Sequence, residues 1–256
     1  MLAFLSWPIR RDRAIFIGGA AVVTGIAWFY LAWIASAMSP SAHAAHLPSH
    51  HPIEFAATFL MWTVMMVAMM LPSTLPFVFA FGTEHRKRRA RNLPYVPAGV
   101  FLGGYFATWT AFSAIAALLQ QALHRSGLLS PMMNSTSPVF AGFLLIAVGV
   151  YQWTPFKDAC LRHCRTPLAF LLSDWREGSF GAFRMGVEHG VFCLGCCWLL
   201  MVLPFAAGVM NLMWMAAITV FILLEKAAPG GQWVGRAGGV AMVGAGAWMI
   251  ASANGY

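Results

Sequence analysis

Long apolar runs separated by short polar segments make up most of the chain. A bilayer core of about 30 Å is crossed by roughly 20 apolar residues in a helix. Seven runs reach or approach that length: 14–37, 55–81, 96–120, 138–153, 183–205, 208–225 and 234–253. Apolar and polar residues do not alternate within them, as they do in the strands of a membrane barrel. The pattern therefore predicts an all-α, polytopic membrane bundle of about seven transmembrane helices.

Two of these runs are irregular, and the loops between them are short. The fourth run is short, and Pro72 and Pro76 interrupt the second, so we expect that helix to bend. The longest loop, at about 154–182, is too short for a separate soluble domain. The sequence predicts a single integral membrane domain over residues 1–256.

Glycines four residues apart indicate where the helices of such a bundle approach closely, because small residues at this spacing let two backbones meet in lipid. The spacing occurs in three places: Gly99 and Gly103, Gly186 and Gly190, and Gly235 and Gly239. We expect all three pairs to lie at helix–helix interfaces.

Basic residues are distributed unevenly between the loops. With seven spans, fifteen of the sixteen Lys and Arg residues fall on one side of the membrane, and Arg125 falls on the other. Cytoplasmic loops carry an excess of Lys and Arg. The count predicts a cytoplasmic N-terminus and a C-terminus on the other side of the membrane. The first run exceeds the 7–15 apolar residues of a signal peptide, so we expect it to remain uncleaved.

Composition excludes several classes of function. Sixty per cent of the residues are apolar and 9% are charged, whereas soluble domains carry about 25% charged residues. The net charge of +8 would suggest nucleic acid if the basic residues shared one soluble face. They lie between the apolar runs, so the lipid bilayer is the expected partner and nucleic acid is excluded. No nucleotide-binding glycine loop or zinc-protease motif occurs, and nothing identifies an enzyme.

All five cysteines lie between residues 160 and 197. Three of them, Cys193, Cys196 and Cys197, follow His189 in the fifth run. At 100° per residue, the four side chains fall within an arc of about 100° on one helix face. Thiolate and imidazole suit a soft metal, Cu(I) before Zn(II). The alternative is packing, because a free cysteine behaves as a small buried hydrophobe.

The other two cysteines, Cys160 and Cys164, flank His163 in the loop after the fourth run. The spacing of these thiols and the imidazole predicts a second group of metal ligands on the cytoplasmic side. Burial of the two cysteines as packing residues is again the alternative.

Methionines form a stripe on the second run. Met61, Met65 and Met69 recur at a spacing of four residues, which places them on one helix face. Thioethers bind Cu(I), so the stripe is a candidate part of a copper site or pathway. Methionine is also a flexible apolar filler, and core packing is the alternative.

Four histidines occur within nine residues of the predicted periplasmic loop between the first two spans: His43, His46, His50 and His51. Short His-rich tracts can bind metal, so the loop is a candidate site for metal capture outside the membrane. A solvated loop without a ligand role is the alternative.

Charged residues at the ends of two runs have local explanations. Glu188 lies one helical turn after Arg184, with which it can pair. We expect the adjacent Glu225 and Lys226 to form a simple interfacial pair at the end of the sixth run. Ionisable residues inside spans are otherwise candidates for function.

Several distinctive segments occur together in this chain: Trp62–Pro72, Tyr151–Lys157, Cys160–Arg165 and Gly190–Trp198, then Met201, Gly208, Met210, Asn211, Trp214, Met215 and Glu225–Lys226. In combination they resemble a bacterial family of unknown function, described as predicted metal-binding integral membrane proteins. The resemblance runs from about 58 to 226. It implies metal binding at the five cysteines and at the methionines of the second run, and it leaves out the histidine loop. With the predicted orientation, it implies a bacterial inner membrane and a periplasmic C-terminus. It implies no reaction or substrate.

Three functions remain as candidates. The first is a membrane protein that binds, transfers or transports a soft metal, most of all Cu(I). The second is a thiol–disulfide or quinone-linked oxidoreductase that relays electrons between the two cysteine groups, although disulfides rarely persist beside the reducing cytoplasm. The third is an accessory or assembly subunit of a larger membrane complex. Whether the chain forms a homo-oligomer stays open.

Overall fold

The computed structural model describes residues 2–37, 52–92, 95–128, 137–173 and 175–255. All regular secondary structure in these ranges is helical, which confirms the all-α prediction. The helices are α1 Leu2–Ala37, α2 Pro52–Ala90, α3 Ala98–Arg125, α4 Pro138–Tyr151, α5 Pro155–Arg165, α6 Pro167–Ser173, α7 Gly178–Cys197, α8 Pro204–Ala207, α9 Leu212–Ala227 and α10 Gly231–Gly255, with a 3₁₀ turn at Leu200–Val202.

The described helices contain four to six candidate membrane spans. Helices α1, α2, α3 and α10 each include a segment that is long and apolar enough to cross a bilayer. Two further spans form only if α4 is joined to α5, and α7 to α8, across bends of 65° and 72°. Helix α9 has 16 residues, fewer than the roughly 20 that a span needs. Seven spans and their orientation therefore stay a prediction.

The bend between α4 and α5 decides where two of the cysteines lie. Pro155 begins α5 and disfavours helical backbone at Thr154, which is extended with φ −73° and ψ 140°. The Thr154 hydroxyl accepts a hydrogen bond from the N–H of Lys157 and caps the new helix. Helix α5 then packs against α7. The segment 154–182, predicted as a loop, thus forms α5, α6 and the start of α7.

Glycines allow α3 to pack closely against α7. A Cβ atom at Gly186 would lie 2.0 Å from the carbonyl oxygen of Phe101, and one at Gly190 would lie 2.6 Å from the Thr108 hydroxyl. A larger residue at either position would collide with α3, so the prediction for this glycine pair is confirmed.

The two other predicted glycine pairs have different outcomes. A Cβ at Gly239 would lie 2.8 Å from the carbonyl oxygen of Gly149, where α10 meets α4, and one at Gly235 would meet the Glu225 carboxylate. This pair is also confirmed. Among the residues that the structure describes, none has a heavy atom within 4 Å of a Cβ added at Gly99 or Gly103. The prediction for them was wrong, because α3 turns other residues toward α7.

Candidate metal centre

The five cysteines are free thiols, and all five are buried. Because α5 turns back onto α7, the Sγ atoms of Cys164 and Cys196 lie 3.8 Å apart although 32 residues separate them. Two metal–sulfur bonds of about 2.3 Å can bridge sulfur atoms up to about 4.6 Å apart. The fold therefore brings thiols from two different helices within the reach of one metal ion.

The three cysteines of α7 share one buried face, as their spacing predicted. The thiols of Cys196 and Cys197 both donate to the carbonyl oxygen of Cys193, at 3.0 and 2.9 Å. Such bonds to the preceding turn hold each side chain close to its own helix. We refer to Cys164, Cys193, Cys196 and Cys197 as the thiol centre.

Cys193 has the most polar surroundings of the thiol centre. Its Sγ lies 3.0 Å from the Nζ of Lys226 on α9 and 3.1 Å from the hydroxyl of Tyr105 on α3. An ammonium group donates hydrogen bonds and accepts none, so the sulfur is the acceptor. A neighbouring ammonium stabilises a thiolate, and the thiolate is the form that binds metal.

Lys226 also contacts helix α2. Its ammonium donates to the hydroxyl of Ser73 on α2, at 3.2 Å. Contacts from two helices thereby hold a positive charge against the Cys193 sulfur.

Lys226 does not form the predicted interfacial pair with Glu225. The Oε1 atom of Glu225 lies 2.6 Å from Nζ of Lys157 on α5, and both side chains are buried. Successive residues on a helix point about 100° apart, so Glu225 reaches α5 while Lys226 reaches α7. The prediction of a local pair was wrong. The local pairing of Glu188 with Arg184 is confirmed at 3.1 Å.

Cys160 packs beside the thiol centre. A Cβ atom added at Gly195 on α7 would lie 2.7 Å from the Cys160 Sγ. The Cys160 side chain therefore occupies the space that a side chain at Gly195 would need. Cys160 is buried like Cys164, but no hydrogen bond links its thiol to another cysteine among the described residues.

His189 is buried one turn before Cys193, inside a group of aromatic rings. Its ring centroid is 3.7 Å from that of Phe77 and 5.3 Å from that of Tyr105, with Phe101 and Phe170 near 6 Å. The imidazole shares the face of the three cysteines, as predicted, and its ring stacks among these aromatic side chains.

His163 lies outside the thiol centre. It is exposed on α5, its ring stacks on Phe192 at 4.0 Å, and its Nδ1 contacts the carbonyl oxygen of Ala159 at 3.1 Å. The structure thus separates His163 from the Cys164 thiol that it was predicted to join.

The predicted methionine stripe lies in the same hydrophobic core as the thiols. Met61, Met65 and Met69 are 5%, 1% and 0% exposed, but Met66 and Met70 on another side of α2 are equally buried. Burial therefore does not distinguish the stripe from ordinary packing. Helix α2 meets the centre through Ser73 and through the Met70 carbonyl oxygen, which accepts from the Tyr105 hydroxyl at 3.5 Å.

The remaining predicted ligands, His43, His46, His50 and His51, lie outside the described residues. Within the described ranges, no three His, Cys, Asp or Glu side chains are arranged to hold a metal ion together.

Sequence reasoning missed Tyr105, Ser73 and Lys226. A lysine inside an apolar helical run was a usable signal, because such residues are expensive in lipid and usually have a function. This signal was not used, because the adjacent Glu225 offered Lys226 a local partner. Tyr105 and Ser73 carry no comparable signal in the sequence.

A family model described as "PpoB2: Copper chaperone" matches residues 59–249 of the chain. The match covers the thiol centre, Lys226 and the buried methionines of α2, and it begins after the four loop histidines. No curated protein and no solved structure matches the chain.

Proposed function

Because the chain belongs to the PpoB2 family of copper chaperones, we propose that it is an integral membrane protein that binds Cu(I) at the thiol centre and delivers it to an acceptor. Cu(I) is the cargo in this proposal, taken up and released intact. Delivery to an acceptor protein is preferred over storage or the release of a free ion, because the family description is that of a chaperone.

The observation that carries this proposal is the approach of Cys164 to Cys196 at 3.8 Å, beside a Cys193 sulfur that accepts from Lys226. Thiolate sulfur is a soft ligand that selects Cu(I). A bridge between two sulfurs suits an ion that is to be handed on, whereas structural zinc is enclosed by four ligands. Zinc is therefore the less favoured cargo.

The membrane location rests on the four to six candidate spans and on the uneven distribution of basic residues. We place the protein in a bacterial inner membrane, with the thiol centre nearer the cytoplasmic face. Copper captured by the periplasmic histidines would reach the thiol centre past the buried methionines of α2. An acceptor protein on the cytoplasmic side is the partner that this route requires.

Copper binding by the purified, reduced protein in detergent tests the proposal. Anaerobic competition with a chromophoric Cu(I) chelator measures the affinity of wild-type protein and of three variants: Cys164→Ser, Cys193→Ser and Cys196→Ser. We expect a loss of at least about tenfold in each, equivalent to about 1.4 kcal/mol. The variant Cys160→Ser makes the same chemical change outside the thiol centre and should retain binding. Unchanged affinity in the three variants would overturn the proposal.

A second function is favoured by the same 3.8 Å approach, because a thiolate so close to another thiol can form a disulfide when an oxidant accepts two electrons. Mild oxidation followed by mass spectrometry of peptides distinguishes this oxidoreductase from a copper chaperone. A Cys164–Cys196 disulfide that forms reversibly, in protein that binds no Cu(I), would favour the oxidoreductase.

A further inference from the structure

Lys226 brings a positive charge to the thiol centre without a carboxylate to neutralise it. Its ammonium contacts the Cys193 sulfur at 3.0 Å and the Ser73 hydroxyl at 3.2 Å. In the part of the chain that the structure describes, it makes no ion pair with an acidic side chain. The Lys226 side chain is half-buried, so its charge lies beside the buried Cys193 sulfur without an acidic partner in the described residues.

We infer that Lys226 makes the thiol centre selective for monovalent over divalent soft metal ions. This inference rests on the proposed function and adds the property of the ion that is recognised. A positive charge repels a divalent ion about twice as strongly as a monovalent ion at the same position, whatever number of thiolates holds the ion. The Lys226 ammonium therefore disfavours divalent ions more than monovalent ions.

Neighbouring charges do not cancel that of Lys226. Glu225, the adjacent residue, is neutralised by Lys157 at 2.6 Å. Arg165 donates to the carbonyl oxygens of Glu225 and Ala228, at the C-terminal end of α9, where the helix carries partial negative charge. Lys226 is therefore the charge that the metal-bound thiolates meet.

The position of Lys226 also allows its ammonium to lie close to the thiols both with and without a bound metal ion. Without metal, the ammonium is shared between the Cys193 sulfur and the Ser73 hydroxyl. When a metal ion occupies the sulfur, the Ser73 hydroxyl still holds the ammonium a few ångströms away. At that distance in a site removed from water, opposite charges attract far more strongly than at an exposed surface.

Ag(I) and Cd(II) are suitable probes, because they have the same number of electrons and differ by one unit of charge. Competition titrations in detergent give the affinities for Ag(I), Cu(I) and Cd(II) in wild-type protein and in Lys226→Met. We expect Cd(II) to gain affinity relative to Ag(I) and Cu(I) in Lys226→Met. The monovalent-to-divalent ratio should fall on the order of 100-fold, because charges a few ångströms apart interact strongly in a partly buried site.

Two further variants control for structural damage. Lys226→Arg keeps the charge and should retain most of the wild-type ratio. Lys87→Met makes the same substitution at a side chain that is 62% exposed, and it should change none of the three affinities. An unchanged ratio in Lys226→Met, or an equal loss of all three ions, would overturn the inference while leaving the proposed function intact. Absence of Cu(I) and Ag(I) binding in the wild-type protein would overturn the proposed function itself.

Discussion

Lys157 and Glu225 form an ion pair that is almost wholly removed from water: Nζ lies 2.6 Å from Oε1, and each side chain is 2% exposed. Lys157 also donates to the side-chain oxygen of Gln152. The pair joins α5, which carries Cys164, to α9, which carries Lys226. It therefore connects the two helices that supply a thiol and a positive charge to the thiol centre.

Replacing Glu225 with Gln should destabilise the protein by about 3–5 kcal/mol, because the Lys157 ammonium is left buried without a counter-charge. Thermal unfolding in detergent measures the effect. The double variant Lys157→Met, Glu225→Met removes both charges and should recover most of the lost stability. Asp158→Asn disrupts a more exposed pair with Arg236 and should cost at most about 1 kcal/mol. Equal effects of Glu225→Gln and Asp158→Asn would contradict this account.

Replacing Gly195 with Ala should weaken Cu(I) binding, because the added Cβ would lie 2.7 Å from the Cys160 sulfur and would force α5 away from α7. We expect a loss of about tenfold in the chelator competition, equivalent to about 1.4 kcal/mol. The control is Gly244→Ala, where an added Cβ meets nothing within 4 Å.

The Gly195 effect also predicts a rescue. Combining Gly195→Ala with Cys160→Ala removes the sulfur that the new methyl group would strike, and affinity should return toward the wild-type value. If the double variant bound no better than Gly195→Ala alone, the contact between α5 and α7 would not be the cause.

Replacing His189 with Phe should leave Cu(I) affinity nearly unchanged, because the imidazole stacks on Phe77 at 3.7 Å and an aromatic ring of similar size can take its place. Volume-conserving changes of this kind usually cost less than about 1.5 kcal/mol of stability. The chelator competition and a melting curve measure both quantities. A loss of copper as large as that in Cys193→Ser would make His189 a ligand after all.

The location of the C-terminus tests the seven-span topology. An odd number of spans with a cytoplasmic N-terminus places the C-terminus in the periplasm, where a fused alkaline phosphatase is active and a fused green fluorescent protein is dark. A reporter fused after Ala253 locates the C-terminus, and a reporter inserted within 129–136 locates the segment between α3 and α4. A fluorescent C-terminal fusion would indicate an even count, such as four or six spans.

The helical class and the shared face of the α7 cysteines were predictable from the sequence, because both depend on local rules. Apolar runs of sufficient length predict helices in lipid. The spacing of Cys193, Cys196 and Cys197 places them on one side of any helix that contains them, whatever packs against it. For the same reason Gly186 and Gly190 identified a close contact before its partner helix was known.

The partners of these residues depend on contacts between distant parts of the chain, which local patterns do not encode. Cys193 meets Tyr105 across 88 residues and Lys226 across 33. Thr154 and Pro155 signal a helix start, but only the packing of α5 on α7 brings Cys164 to Cys196.

The contacts of the charged side chains and of His189 were likewise determined by the tertiary structure. His189 shares a face with the cysteines in sequence, yet the rings of α2, α3 and α6 surround it. Glu225 and Lys226 are neighbours in sequence, yet each has a different partner. Glu225 pairs with Lys157, and Lys226 donates to the Cys193 sulfur. The sequence alone thus determined which residues of α7 face inward, and the packing of α5 and α9 against them determined that those thiols meet a fourth sulfur and a positive charge.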